Sequence, residues 1–346
     1  MTHEEVYDVT IIGGGPAGLY SAFYSGLRQM KTKIIEFQPS LGGKLHVYPE
    51  KVIWDVGGQP PIQAEKFRSQ LVEQGMTFDP TVVCDRKVTK IERQVNGMYQ
   101  LTDSEGEYHF SKTVIVAVGS GILKPHKLKV DDAEKYEMKN LNYTIKSLER
   151  FRDKVVMISG GGNSAIDWAN ELEPIAKKVY VTCRKDVLKG HEASVEKLMN
   201  SSATCLFNTC ISKLIAEENQ GTVNCVEVSD DEVGEIQQID VDEIIVNHGY
   251  EIDTSLLQDS DVSIDLVDQY FIDGSVTGVT SEPGIFAAGD ILKHDGKLNL
   301  IAGCFQDAAN AINQAKQFIA PEANQTAMVS SHNDVFKEKN KQLLSK

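Results

Sequence analysis

The sequence predicts an α/β chain of two three-layer domains, the second inserted in the first. Two glycine-rich turns, Gly13-Gly14-Gly15-Pro16-Ala17-Gly18 and Gly160-Gly161-Gly162-Asn163-Ser164-Ala165, each follow an apolar run of strand character and each open a run of helical character. Two more apolar runs end alike, in Ala117-Val118-Gly119 and Asn247-His248-Gly249, as buried strands do. A last run, Gly284-Ile285-Phe286-Ala287-Ala288-Gly289-Asp290, has no such turn of its own and needs the first domain to complete it. Internal repetition with a late return places an insert at 120–252 inside an outer domain of 1–119 and 253–346.

The opening unit has the strand, turn and helix order that gives a glycine pattern meaning as a Rossmann-like dinucleotide site. Val9-Thr10-Ile11-Ile12 leads into the turn, and Leu19-Tyr20-Ser21-Ala22 continues from it. Gly13 permits the tight turn, Gly15 lets backbone approach a pyrophosphate, and Gly18 lets the helix lie close on the strand, while free N–H groups at the helix start face the phosphates. The next strand, Lys33-Ile34-Ile35-Glu36, puts Glu36 18 residues beyond Gly18, where a carboxylate can accept from both ribose hydroxyls. FAD or NAD both fit such a site, and a 2′-phosphate does not.

From Leu41 to Ala64 the chain is rich in glycine and proline and reads as an ordered loop. Lys87 to Gln94, Met98 to Asp103 and Tyr108 to Lys112 alternate like an antiparallel meander, and Thr113 to Gly119 reads as a separate buried strand. The insert follows with a strand at Lys154 to Ser159, and 18 residues beyond Ala165 its second strand, Val179-Tyr180-Val181-Thr182, ends in Cys183-Arg184-Lys185 with no acid. Arg184 can fork onto phosphate oxygens and Lys185 adds a point charge, so this site reads as NADPH, held by Gly160, Gly162, Asn163, Ser164, Ala165, Arg184 and Lys185. An acidic meander from Leu214 to Asp242 reads as a solvated hairpin, and Glu243 to Gly249 as a second buried strand. Leu298 to Gly303 leads into a helix running to Phe318, whose N-terminal dipole suits a site where negative charge gathers.

Composition supports a soluble globular protein: 346 residues, 41% apolar and 25% charged. The acidic start Met1-Thr2-His3-Glu4-Glu5 does not resemble a signal peptide, and no run approaches a membrane span, so a cytoplasmic location is expected. The six cysteines contain no Cys-x-x-Cys pair, and no metal-ligand spacing is present. A net charge of −15 argues against general affinity for nucleic acid or anionic membrane, and any acidic partner needs a local basic patch. The tail from Lys337 to Lys346, with four lysines and one glutamate, reads as a solvated segment or as part of such a patch.

Taken together, the two glycine turns, the paired strand ends and Gly289-Asp290 resemble the two-dinucleotide flavoprotein reductases of thioredoxin reductase type, over nearly the whole chain. Where thioredoxin reductases carry their redox Cys-x-x-Cys, this chain has Tyr136-Glu137-Met138-Lys139, which excludes disulfide reduction by that route. It is most similar to the ferredoxin/flavodoxin–NADP⁺ reductases of this type, which lack the pair and add a C-terminal extension, here 321–346. The resemblance implies FAD in the outer domain and NADPH in the insert, a ferredoxin or flavodoxin partner, and a homodimer. It places FAD contacts at Glu36, Lys44, Tyr48, Val88, Leu123, Asp290 and Ser331, with Tyr48 stacked on one ring face. The other face falls to Val329, with His332 as a substitute, and a small aliphatic there covers the ring less completely than an aromatic. Domain rotation in such reductases makes Gly119 to Leu123 and Gly249 to Asp253 hinge candidates. An NADPH-dependent reductase of free flavins, quinones or ferric complexes remains the alternative, and a non-catalytic nucleotide sensor is a third reading.

Overall fold

A computed structural model describes residues 5–121, 124–137, 139–145, 147–216, 221–230, 234–251 and 253–344. The chain divides into two compact units, Met1–Ile122 with Ile252–Lys346 and Leu123–Glu251.

In the first unit the strand Val6–Ile12 lies centrally, with Thr32–Ile35 and then Thr81–Val83 parallel to it on one side. On its other side runs Tyr108–Val116, followed by Tyr99–Asp103 and Val88–Arg93. Here the structure corrects one expectation, because the last arm of the meander and the buried strand after it are a single element. At Ser111 that strand faces Tyr7 on its parallel side and Tyr99 on its antiparallel side, so one strand serves both pairings. Its amino-terminal half alternates between exposed and buried, whereas Val114, Ile115 and Val116 are wholly buried, which is why the sequence reads as two pieces. The returning strand Ile285–Ala287 pairs in parallel with Val114 to Val116 and closes the seven-stranded sheet.

The Leu41–Ala64 region also holds more structure than a loop. Gly43–His46 forms a 3₁₀ turn, and Val52–Ile53 pairs with Ile62–Gln63 in a short hairpin. Leu45, Ile53, Val56 and Ile62 bury their side chains in the core beside Leu19 and Phe67, and this anchors the glycine-rich segment. The helix Pro16–Leu27 packs on the long helix Ile301–Ile319, which begins at the expected place and buries Cys304, Ala308, Ala311, Ile312 and Ala315.

The second unit is built on an all-parallel sheet in the order Leu141–Asn142, Glu243–Val246, Val155–Ser159, Lys178–Cys183, Thr204–Phe207. The helix Asn163–Leu172 covers it through Ala165, Ile166, Ala169 and Leu172. A three-stranded antiparallel sheet, Thr209–Ala216, Val223–Asp230 and Ile236–Asp240, replaces the expected solvated hairpin. Its apolar face, with Ile211, Val223, Val226, Val228 and Ile239, joins a core with Met157 and Ile244. Glu227 and Asp240 alternate with these apolar residues and lie on the other, less buried face. Within this unit the two crossing segments, Lys124–Pro125 and Tyr250–Glu251, pair antiparallel.

Candidate dinucleotide sites

The first glycine turn is built at backbone contact distance. Gly13 has φ +106°, and a Cβ there would overlap the Ala117 carbonyl, while one at Gly18 would overlap the Gly13 carbonyl. Gly13 N–H donates to Ile35 O at 2.8 Å and Ala117 N–H to Ile12 O at 2.8 Å, so the turn is tied to both neighbouring strands. Gly15 caps the helix in extended conformation without a side-chain cap, leaving the first-turn amides of Ala17 and Gly18 without helical acceptors. A Cβ at Gly15 would meet only the Gly43 Cα, at 3.6 Å, so an approaching pyrophosphate finds backbone and free N–H groups.

Glu36, 6% exposed, follows directly on the strand Thr32–Ile35. Its Oε1 accepts Gln38 N–H at 2.8 Å and its Oε2 accepts Gly14 N–H, which fixes the carboxylate at the rim of the turn. Each oxygen keeps a lone pair for a ribose hydroxyl. Burial raises its pKa, against the pull of those two N–H bonds.

Lys44 and Asp290 come from distant parts of the chain and meet with Nζ 4.0 Å from Oδ2. Tyr48 packs half-buried against the same core; burial pushes its phenol up, and the charges of Asp290 and Asp55 add to this. Glu36, Lys44, Tyr48 and Asp290 thus line one end of the outer unit, above the carboxyl ends of its strands. The other expected contacts that are described differ in burial. Val88, 3% exposed, points into the apolar cluster of Ile12, Ile35 and Tyr270, leaving only its backbone to offer a ligand. Leu123 lies outside the described residues. Ser331 and His332 are exposed in a 3₁₀ turn, and Val329 is 63% exposed. The tail is anchored beside them on the helix Pro16–Leu27: Arg28 donates to Asn324 O at 2.5 Å, Ala327 N–H to the Tyr24 hydroxyl at 3.4 Å, and Phe336 packs on Phe23 and Phe78.

The second turn repeats the first with telling substitutions. Gly160 has φ +144°, and a Cβ there would overlap the Asn247 carbonyl. Gly162 caps its helix with nothing within 4 Å of a would-be Cβ, and Ala165, fully buried, stands where the first turn needs Gly18. Asn163 is committed internally, its Oδ1 accepting His191 N–H at 2.9 Å, whereas Ser164 is exposed at the helix start.

Arg184 and Lys185 are exposed at the end of the strand Lys178–Cys183. A third cation joins them. Lys189 donates its backbone N–H to Gly161 O at 2.7 Å, so the chain after the strand doubles back onto the glycine turn. Its ammonium lowers the Lys185 pKa by direct contact and by charge, and Arg184 lowers it further. Sequence spacing carries no signal for Lys189, because a loop's backbone pairing brings it there. His248, at the end of Glu243–Val246, was also missed. Its Nε2 lies 2.9 Å from Ser159 Oγ, and burial, then the charges of Arg184 and His126, lower its pKa, which favours the neutral imidazole.

The sequence pattern of the pyridine nucleotide-disulphide oxidoreductases matches residues 7–315. Over 344 residues the chain is 62% identical to "Ferredoxin--NADP reductase 1" of Bacillus mycoides and 63% identical to that of Bacillus cytotoxicus, covering 99% of this chain and of each relative. The chain belongs to the ferredoxin–NADP reductase family. "Ferredoxin--NADP reductase 2" of Exiguobacterium sibiricum is 60% identical, over 99% of this chain and 98% of that one. Among solved structures, thioredoxin reductase of Lactococcus lactis aligns at TM-score 0.75 and 22% identity over 91% of this chain and 99% of its own. That of T. acidophilum aligns at 0.74 and 23%, over the same shares. Family membership and the two-domain dinucleotide-binding fold therefore stand as the sequence suggested. Among the described residues no helix is long and apolar enough to cross a membrane.

Proposed function

We propose that the chain is a flavoprotein oxidoreductase moving electrons between NADPH and ferredoxin, with FAD held by the outer unit and NADPH by the insert. The observation that carries this reading is the contrast between two otherwise repeated sites. One strand ends in the buried, acceptor-only Glu36, and the other ends among Arg184, Lys185 and Lys189. A carboxylate suits ribose hydroxyls and repels a 2′-phosphate, whereas three clustered cations need an anion to relieve their repulsion. Ferredoxin as the carrier rests on the printed names of the relatives.

The residues present fit FAD on structural grounds: the close-packed Gly13 turn leaves no room for side chains between strand and helix, and amide donors at the helix start stand ready. Bound FAD would supply the flavin ring that accepts hydride and returns electrons singly. The chain's own part is to bind and orient. Gly15 and the first-turn amides would hold the pyrophosphate, Glu36 the adenosine ribose, Asp290 with Lys44 the ribityl region, and Tyr48 one ring face. Backbone at Val88, together with Leu123, Val329 and Ser331, completes the proposed set. Gly160, Gly162 and Ser164 would cradle the NADPH pyrophosphate, with Asn163 fixing the loop that carries Lys189 and Ala165 fixing the helix. Flavodoxin as a second carrier, a homodimer and a cytoplasmic location belong to the same proposal.

The test is direct. The purified chain should be yellow, should bleach when mixed with NADPH in the absence of oxygen, and should then pass electrons to added ferredoxin with saturation. A colourless chain that takes up no FAD would sink the proposal. Rapid reduction of quinones or free flavin with no saturable ferredoxin step would favour the small-acceptor alternative.

A further inference from the structure

The turn Gly289–Asp290, just beyond the returning strand Ile285–Ala287, is clamped at both backbone groups of Gly289 by one buried ion pair. Gly289 N–H donates to Asp307 Oδ2 at 3.2 Å, and Gly289 O accepts from Lys297 Nζ at 2.8 Å. Lys297 Nζ also bonds Asp307 Oδ2, and the two side chains are only 6% and 7% exposed. His294 adds to the cluster, with Nε2 3.5 Å from Asp307 Oδ1 and Nδ1–H donating to Asp295 O at 2.8 Å. Asp307 belongs to the long helix Ile301–Ile319, and Lys297 to the loop before it.

Stability is a weak reason for such a pair, since taking a lysine and a carboxylate out of water costs about as much as their attraction returns. Its position gives a stronger one. Gly289 has φ +79°, and a Cβ there would stand 2.9 Å from Ala17 Cβ, so the turn is pressed against the start of the helix Pro16–Leu27. The clamp therefore fixes Asp290 relative to the first-turn amides, tying together the two halves of the proposed flavin site. The charges also reach outward: Lys44 Nζ is 4.0 Å from Asp290, and the Cys304 thiol is pushed up to about 12, chiefly by burial and then by the Asp290 and Asp307 carboxylates.

We propose that Lys297 and Asp307 are positioning residues for the flavin, holding the Gly289–Asp290 turn in place and setting the charge beside it. This rests on the reading of the outer unit as the FAD site. Flavin gains negative charge on reduction, so charge removed from either partner should move its midpoint potential with a definite sign. Asp307→Asn keeps an acceptor for Gly289 N–H and should raise the potential. Lys297→Met keeps the stem, loses both donors and should lower it. Both should weaken FAD, on the order of tenfold or more in dissociation constant, because a buried charge is left without its partner. Lys297→Arg should restore most of the affinity.

The measurements are FAD titration of the apoprotein and dye-equilibrated flavin potentials. If both single variants bind FAD as the wild type does, or move the potential in the same direction, the pair does not act on the flavin. Should either fail to fold, Lys297→Met/Asp307→Leu, which leaves no unpaired charge, takes its place. It should keep a near-wild-type potential with FAD about tenfold weaker, and wild-type affinity in that variant would overturn the proposal. A wild-type chain that binds no FAD removes the FAD reading itself, an outcome distinct from variants that match a flavin-binding wild type.

Discussion

Lys185 and Lys189 crowd each other beside Arg184, and the crowding is visible as a lowered Lys185 pKa. Such an arrangement is unfavourable until an anion arrives, so its value should appear on NADPH and vanish on NADH. Replacing Arg184 or Lys189 with Ala should raise KM for NADPH about tenfold to a hundredfold, the range expected for one or two charge-assisted hydrogen bonds. KM for NADH should stay within about twofold. Steady-state diaphorase assays with both nucleotides measure this, and an equal loss on both would place the cations elsewhere on the ligand. Arg184 was legible as a candidate because the count of 18 that leads from Gly18 to Glu36 leads from Ala165 to Cys183, immediately before it. Lys189 and His248 were not: one arrives through backbone pairing of a loop, the other because the end of Glu243–Val246 adjoins that of Val155–Ser159.

At the scale of elements, the glycine turns separate what the fold requires from what the ligand requires. Gly160 combines a positive φ with a would-be Cβ inside the Asn247 carbonyl, whereas Gly162 has an ordinary φ of −97° and open space around it. Gly160→Ala should therefore destabilise the insert by about 2 kcal/mol or more through overpacking and backbone strain. Gly162→Ala should change stability by less than about 0.5 kcal/mol yet raise KM for NADPH, because its methyl group stands where the pyrophosphate approaches. Thermal unfolding of the ligand-free chain, set beside NADPH kinetics, tests both. Gly162→Ala melting early, or binding NADPH normally, would refute the division of labour. Strand, turn and helix order was readable here because each piece has its own local signal. Tyr108–Val116 was misread as two strands because its two halves face different environments, and the Thr209–Asp240 sheet as a solvated hairpin because only one of its faces is apolar.

For the molecule as a whole, the inserted topology was legible because Gly284 to Asp290 lacks a turn of its own, and Ile285–Ala287 does pair with Val114 to Val116. The tail was less so. Its short apolar cluster suggests a cover for the flavin, and Met328 and Val329 are 61% and 63% exposed, while Phe336 packs against Phe23 and Phe78. Beyond Phe336 the helix Lys337–Leu344 presents Lys337, Lys339 and Lys341, the last paired with Glu338 at 2.7 Å. Against a chain of net charge −15 this is a local reversal of sign, and an acidic electron carrier has to find such a patch to dock. With NADPH saturating, the apparent KM for ferredoxin should then rise several-fold between about 50 and about 300 mM salt as the Debye length falls. Reduction of a neutral quinone should change by less than about twofold over the same range, since no charge is screened. Lys337→Glu with Lys339→Glu should raise the ferredoxin KM at low salt and flatten its salt dependence while leaving the quinone rate alone. A ferredoxin step that ignores salt in the wild type would mean that its docking does not depend on charge, and would shift the argument toward small neutral acceptors.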